Sequence, residues 1–179
     1  YVGTLYDGQN ISIFLSAFKK FIDFKKPNTK LLFPGLDLNK RQKKRVSFLM
    51  KGYEEHYQTS FRIPKNEILI IEKQSHLLLH VAWKGHNGII ASKIYEYIGS
   101  GSKIIVVPGD RNSIDKIVNA SKAGLVFNDI DTTFDFLCKE YNYFINNTNN
   151  IVKQTVHSLQ FSRENQTKKL VNILNLLSE

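Results

Sequence analysis

Two short, near-continuous apolar runs, His76–Ala82 (HLLLHVA) and Lys103–Val107 (KIIVV), flank one loop and one helix-patterned stretch. A strand with one wet face alternates apolar and polar residues, whereas a strand covered on both faces is apolar at nearly every position. Two such strands joined by a helix form the crossover unit of a parallel α/β sheet. Inside this unit, Trp83–Val107 reads WKGHNGIIASKIYEYIGSGSKIIVV. Gly88 in the loop lets backbone approach a ligand, and the helix start at Ser92–Lys93 offers N–H groups with partial positive charge. Glu96 projects from the first turn of that helix. The whole run is the layout by which a parallel sheet holds a phosphorylated ligand.

The same alternation recurs along the chain. Tyr1–Leu5 is predicted to be a strand, followed by a turn at Asp7–Gly8 and a helix over Asn10–Phe24, where Ile13, Phe14, Ala17, Phe18 and Phe21 recur at helical spacing. Lys30–Leu36 is the next strand, Asn39–Glu55 a helix, His56–Ile63 a strand, and Pro64 opens a short helix containing Glu67–Gln74. After Lys103–Val107, Asn112 or Ser113 caps a helix that stops before Gly124, read as its left-handed end residue. Leu125–Phe127 is one more strand, and Thr132–Asp135 a capping-box-like helix start. The pattern predicts an α/β, Rossmann-like domain over 1–148, a parallel sheet with helices on both faces. A helical tail over 149–179 breaks near Phe161–Ser162. Its stripe Leu170, Ile173, Leu174 and Leu177 requires a surface, on this domain or on another.

At 179 residues and 20.6 kDa the chain is long enough to bury one core without staples. The single Cys138 excludes an internal disulfide framework and suits a reducing, cytoplasmic setting. No run approaches the roughly 18 apolar residues of a membrane span. The first residue is Tyr1 and the reading starts inside a strand, so a missing upstream segment is expected. The formal charge of +9 is concentrated at Lys19–Lys20, Lys25–Lys26 and Lys40–Arg45. A basic balance favours anionic partners, although the Val46, Phe48, Leu49 face beside the last cluster reads as an ordinary packed helix with a solvated side.

Few residues offer chemistry. His76 and His80 share a strand face without an intervening glutamate, so they read as structural, and Cys138 lies on an amphipathic helix beside Phe134 and Leu137. No GxSxG elbow, GxxxxGK[ST] phosphate loop or GxGxxG fingerprint occurs. Glu96 stands apart: a carboxylate beside a helix N-terminus can accept both vicinal hydroxyls of a ribose while N–H groups near Gly88–Ile90 and the Lys93 ammonium hold a diphosphate. The plain alternative is a solvent-facing helical glutamate.

The Gly-Ile-Ile loop followed by SKIYEYIGSGSKIIVV resembles the donor-binding core of GT-B glycosyltransferases, particularly the family 4-like enzymes of polysaccharide biosynthesis. The opening YVGTLYDGQN resembles the first strand and glycine loop of that family's C-terminal domain. FRIPKNEILIIEKQSHLLLHV resembles its next block, and FSRENQTKKLVNIL its closing helix. The resemblance implies the nucleotide-sugar half of a two-domain transferase, with the acceptor half supplied in cis or by a partner subunit. It implies that Glu96 binds the ribose, that backbone at Arg62 and Ile63 meets the base, and that Gly3, Thr4, Gly88, Ile89 and Ile90 face the diphosphate and sugar. Lys93 would neutralise phosphate charge. No metal or cofactor is implied beyond the nucleotide sugar as substrate, and the setting is cytoplasmic, compatible with peripheral contact at the inner membrane face.

Two positions depart from the family pattern. Gly88 stands where many members carry a sugar-contacting glutamate, and Thr4–Asn10 lacks the cations many members place there. Alternatives from the residues are a nucleotide-sugar epimerase of the same architecture and a non-catalytic, basic nucleic-acid or nucleotide module. Lys40–Arg45 contains no aromatic residue, which counts against stacking on single strands and makes nucleic acid the weaker partner.

Overall fold

The computed structural model describes residues 1–83, 85, 89–147 and 156–177. It contains β1 (Leu31–Pro34) beside β2 (Tyr57–Ser60), and β3 (Leu77–His80), β4 (Lys103–Val106) and β5 (Gly124–Val126) in the order β3-β4-β5. All three strand pairings are parallel. The helices are α1 (Ser12–Lys25), α2 (Lys40–Leu49), α3 (Lys65–Gln74), α4 (Lys93–Ser100), α5 (Ser113–Ser121), α6 (Ile130–Asn146), α7 (Val156–Leu159) and α8 (Arg163–Leu177). Every parallel connection passes through a helix, as the sequence alternation requires.

The two apolar runs are covered on both faces. Leu79, Ile105 and Val107 enter one core with Phe14, Phe18 and Phe21 of α1 and Phe136 and Leu137 of α6. Their neighbours Leu78, Ile104 and Val106 enter a second core with Ile68 of α3, Ile94 and Ile98 of α4, and Ile114 and Val118 of α5. Successive strand residues point to opposite faces, so a doubly covered strand must be apolar throughout. His80, in β3, is buried as a structural residue, and burial pushes its imidazole down to about 4. His76 packs its ring edge-on against Phe144, 4.1 Å between centroids. Cys138 borders the α1–α6 core.

Several boundaries differ from the sequence reading, each for a local reason. Tyr1–Leu5 forms no regular strand: the Tyr1 amine and the Gly3 N–H donate to Leu32 and Pro34 carbonyls (3.0 and 2.8 Å), but Gly3 then turns to φ 101°. Helix α2 ends at Leu49, before Gly52 at φ 84°. Lys122, at φ 53°, takes the left-handed position after α5, and Gly124 is instead the first residue of β5. Asp129 caps α6 one turn ahead of the expected start, accepting from Thr132 N at 2.8 Å. In the tail, α7 leads into a turn at the expected break, where Phe161 approaches Tyr95 of α4 (ring centroids 6.1 Å) and Gln160 Nε2 donates to Ala120 O of α5 (3.3 Å). Helix α8 carries no buried residue, and the stripe Leu170, Ile173, Leu174, Leu177 is exposed.

Candidate functional site

Because the strands are parallel, the loops after them leave from one edge of the sheet, where α/β folds bind ligands. On that edge Gly3 and Gly35, both at positive φ, approach so closely that a Cβ on Gly35 would lie 3.2 Å from the Gly3 Cα. A Cβ on Gly3 would meet nothing within 4 Å, so space opens in front of that backbone. Thr4 follows, its carbonyl accepting from the Tyr1 hydroxyl at 3.1 Å.

The loop Thr4–Asn10 lacks a cation of its own, and α2 supplies two. The Arg41 guanidinium pairs with Asp7 at 2.9 Å, and Arg45 Nη2 donates to Gln9 O at 3.0 Å. Gln42, buried between them, donates to Asp7 at 2.6 Å, while Lys43 pairs with Asp37 at 2.9 Å. The basic cluster is thus largely tied to its own domain rather than a solvated stripe.

Glu96 lies in the first turn of α4 and accepts from two ammonium groups, Lys65 Nζ at 2.7 Å and Lys93 Nζ at 3.0 Å. Burial works to raise its pKa, but these two hydrogen bonds outweigh it and hold the carboxyl below its ordinary range. It is 26% exposed, and so neither free in solvent nor sealed. An ionised carboxylate has about four acceptor sites, so two remain for a pair of hydroxyls. Lys65 is the second residue after Ile63, so the segment Arg62–Ile63 adjoins this cluster along the chain. Arg62 is exposed, and Ile63 packs beside the α3–α4–α5 core.

Behind Lys93 stands Glu72 of α3, with a side chain 0% exposed. Its carboxylate is 3.6 Å from Lys93 Nζ, an ionic contact too long for a hydrogen bond, and neither oxygen has a hydrogen-bond partner. Burial raises its pKa, with Lys93 partly offsetting the shift. Lys93 therefore sits between an inner and an outer carboxylate, which confines its ammonium to this corner. Glu72 and Lys65 escaped the sequence reading. The signal for Glu72 was there: it lies one turn after the buried Ile68, on the inward face of α3.

The N-terminal segment is tied to α4 by one further contact. The Val2 N–H donates to the Tyr97 hydroxyl at 2.9 Å in a buried setting, and burial pushes the phenol pKa up. A Tyr97→Phe variant should lose about 1–3 kcal/mol of stability, because it leaves a buried N–H without an acceptor. Urea unfolding checks this, and a loss below about 0.5 kcal/mol would contradict it.

The two helix starts on this edge differ. At α5, Asp110 accepts from Asn112 N (2.9 Å), Ile114 N (3.1 Å) and Asp115 N (3.3 Å), so the chain's own carboxylate occupies that N-terminus. Helix α4 opens at Ser92 with no side-chain cap. Ile89 and Ile90, just before it, are 42% and 41% exposed. Gly88 lies outside the described residues. The structure therefore brings together Lys93 and Glu96 with Lys65 and Glu72, and sets Gly3 against Gly35. Among the described residues, no group of three or more His, Cys, Asp or Glu side chains is placed to hold a metal ion, and no helix is long and apolar enough to cross a membrane.

No known family matches the chain, and no curated protein matches its sequence. Among solved structures it is similar to AviGT4, a glycosyltransferase involved in avilamycin A biosynthesis, at 12% sequence identity and a TM-score of 0.55. The likeness covers 96% of this chain and 52% of that one, so the chain spans about half the length of the structure it matches. At this identity the likeness shows the fold: an α/β, Rossmann-like fold with parallel strands and flanking helices, of the glycosyltransferase kind.

Proposed function

We propose that the chain is the donor-binding half of a glycosyltransferase, taking a nucleoside-diphosphate sugar at the edge where α4 begins. The observation that carries this reading is Glu96, held by Lys65 and Lys93 beside the uncapped start of α4, with acceptor capacity to spare. In this reading Glu96 accepts the ribose hydroxyls, and the backbone of Arg62 and Ile63 borders the base. Gly3, Thr4, Ile89 and Ile90, with Gly88, face the diphosphate and sugar. As the glycosidic bond to the leaving diphosphate breaks, negative charge builds on the phosphate oxygens. The ammonium of Lys93, that of Lys65 and the α4 N-terminus lie where they stabilise that charge without rearrangement. The chemistry asks for no metal or cofactor beyond the nucleotide sugar. The acceptor and any general base would come from a second domain or partner subunit, and the work would be done in the cytoplasm or against its membrane face, on a saccharide or lipid-linked acceptor of polysaccharide synthesis.

Titration with UDP, GDP and ADP, followed by NMR, tests the reading. One nucleoside diphosphate should bind selectively, and Glu96→Ala should weaken it about ten- to hundredfold, the loss of hydrogen bonds to a charged acceptor worth about 1.5–3 kcal/mol. Lys40→Glu, an exposed change remote from Glu96 in sequence, should leave binding unchanged. Binding of a short single-stranded oligonucleotide that weakens with salt and ignores Glu96 would replace this proposal with a basic binding module.

A further inference from the structure

A cavity of about 520 Å³ lies between β1 and β3. Residues 28–32, leading into and through β1, line one side, and residues 75–79, leading into and through β3, line the other. Phe18 and Leu137 close it from the α1–α6 face, and Ile71 from the α3 side. Each bordering strand is paired on one side only, β1 with β2 and β3 with β4. A parallel sheet with an apolar gap of this shape is missing a strand rather than a ligand pocket's worth of convergent polar groups.

The main chain already enters the gap at one end. The Tyr1 nitrogen donates to Leu32 O at 3.0 Å and the Gly3 N–H to Pro34 O at 2.8 Å, a two-residue step that is the repeat of a parallel ladder. Continued upstream by two residues, the same register directs an N–H at Lys30 O. The side chains follow suit: Tyr1 packs with the α1–α6 core and Val2 with the α3–α4–α5 core, so positions further upstream would alternate between the same two apolar faces. At the far end the lining turns polar, with Asn28, Gln74 and His76, which marks where such a strand would emerge. The nitrogen at the mouth is a buried amine. As an ammonium it is poorly tolerated there, whereas a peptide N–H at the same point would make the same bond without a charge.

We propose that this cavity is a strand-accepting slot. Its occupant is three or four extended apolar residues, amide-linked to the Tyr1 nitrogen and running parallel between β1 and β3. With the slot filled, the two sheets join into one in the order β2-β1-N-terminal strand-β3-β4-β5. The strand would be apolar on both faces, and its length follows from the four lining residues upstream of Leu32 at about 3.3 Å each.

The test compares two chains extended before Tyr1, one by Val-Ile-Val-Ile and one by Gly-Ser-Gly-Ser. The apolar extension should raise Tm by more than about 5 °C over the polar one and slow amide exchange in β1 and β3. Equal Tm values with unchanged exchange in those strands would overturn the proposal. Should the apolar extension precipitate, the parent chain with added acetyl-Val-Ile-Val-Ile-amide decides by the same exchange readout. Protection of β1 and β3 amides supports the slot, and none refutes it.

Discussion

Gly124→Ala should be among the most damaging single substitutions in this chain, costing at least about 3 kcal/mol. Gly124 opens β5 opposite Ile104 of β4, whose side chain is fully buried. A Cβ at Gly124 would fall inside contact distance of the Ile104 carbonyl oxygen and within 2.7 Å of both its carbonyl carbon and its Cβ. These are atoms of the middle strand of β3-β4-β5, not the end of a flexible side chain, so relief requires pushing β5 away from β4. The Ile104 N–H bond to Ala123 O, 2.9 Å, would lengthen with it. For a domain of this size the loss corresponds to a Tm drop of roughly 6–12 °C. Gly99→Ala is the matched control. A Cβ at Gly99 meets nothing within 4 Å, and the residue lies inside α4, so alanine there should stabilise by up to about 1 kcal/mol. If Gly124→Ala melts within about 1 °C of the parent, the close approach of β5 to β4 is wrong.

The second large effect is a loss of stability on acidification from pH 8, arising from two buried bases. Burial pushes the Tyr1 amine down from 8.0 to about 5, with Glu72 opposing and Lys93 reinforcing the shift, and pushes His80 down from 6.5 to about 4, with Asp110 opposing. Each base is neutral in the folded chain over a range where the unfolded chain binds a proton. Between pH 8 and 5 the unfolded state therefore gains a proton at the amine, and between 6.5 and 4 another at His80, so stability falls as pH falls. The shifts correspond to contributions on the order of 4 and 3 kcal/mol, each fully present above its unfolded pKa. Glu72 works in the opposite direction: its raised pKa favours the folded state as it takes up its proton at the acid end. Urea unfolding at pH 8, 6.5 and 5 measures the slope. Acetylating the Tyr1 amine should flatten the upper part and His80→Leu the lower part. A parent chain equally stable at pH 8 and 5 would show that neither base is buried as charge-excluding groups must be.

The parallel sheet was readable in advance because double burial leaves its own mark: HLLLHVA and KIIVV can only be covered strands, and the structure buries them on alternating faces. Glu96 was readable as well, since a lone carboxylate in the first turn of a helix after a glycine-bearing loop is a local feature. Its partners were not. Lys65 stands 31 positions away and meets Glu96 only because α3 packs beside α4, and Arg41 and Arg45 reach the Thr4–Asn10 loop only because α2 crosses it. Gly124 misled for a related reason. Its glycine looked like a helix stop, yet Lys122 turns the chain, and the glycine answers to Ile104 on another strand.

What the sequence determined by itself was therefore everything with a short period: which segments are strand or helix, which strands are covered twice, and where one helix begins beside a carboxylate. Such features depend on neighbours within a turn or two along the chain. The tertiary structure alone decided the pairing of Glu96 with Lys65, the buried carboxylate of Glu72 behind Lys93, the close approach of β5 to β4 and the cavity between β1 and β3. These depend on distances between segments remote in sequence, and the hydrophobic effect that packs those segments is non-directional, so no local pattern records which side chains it brings face to face.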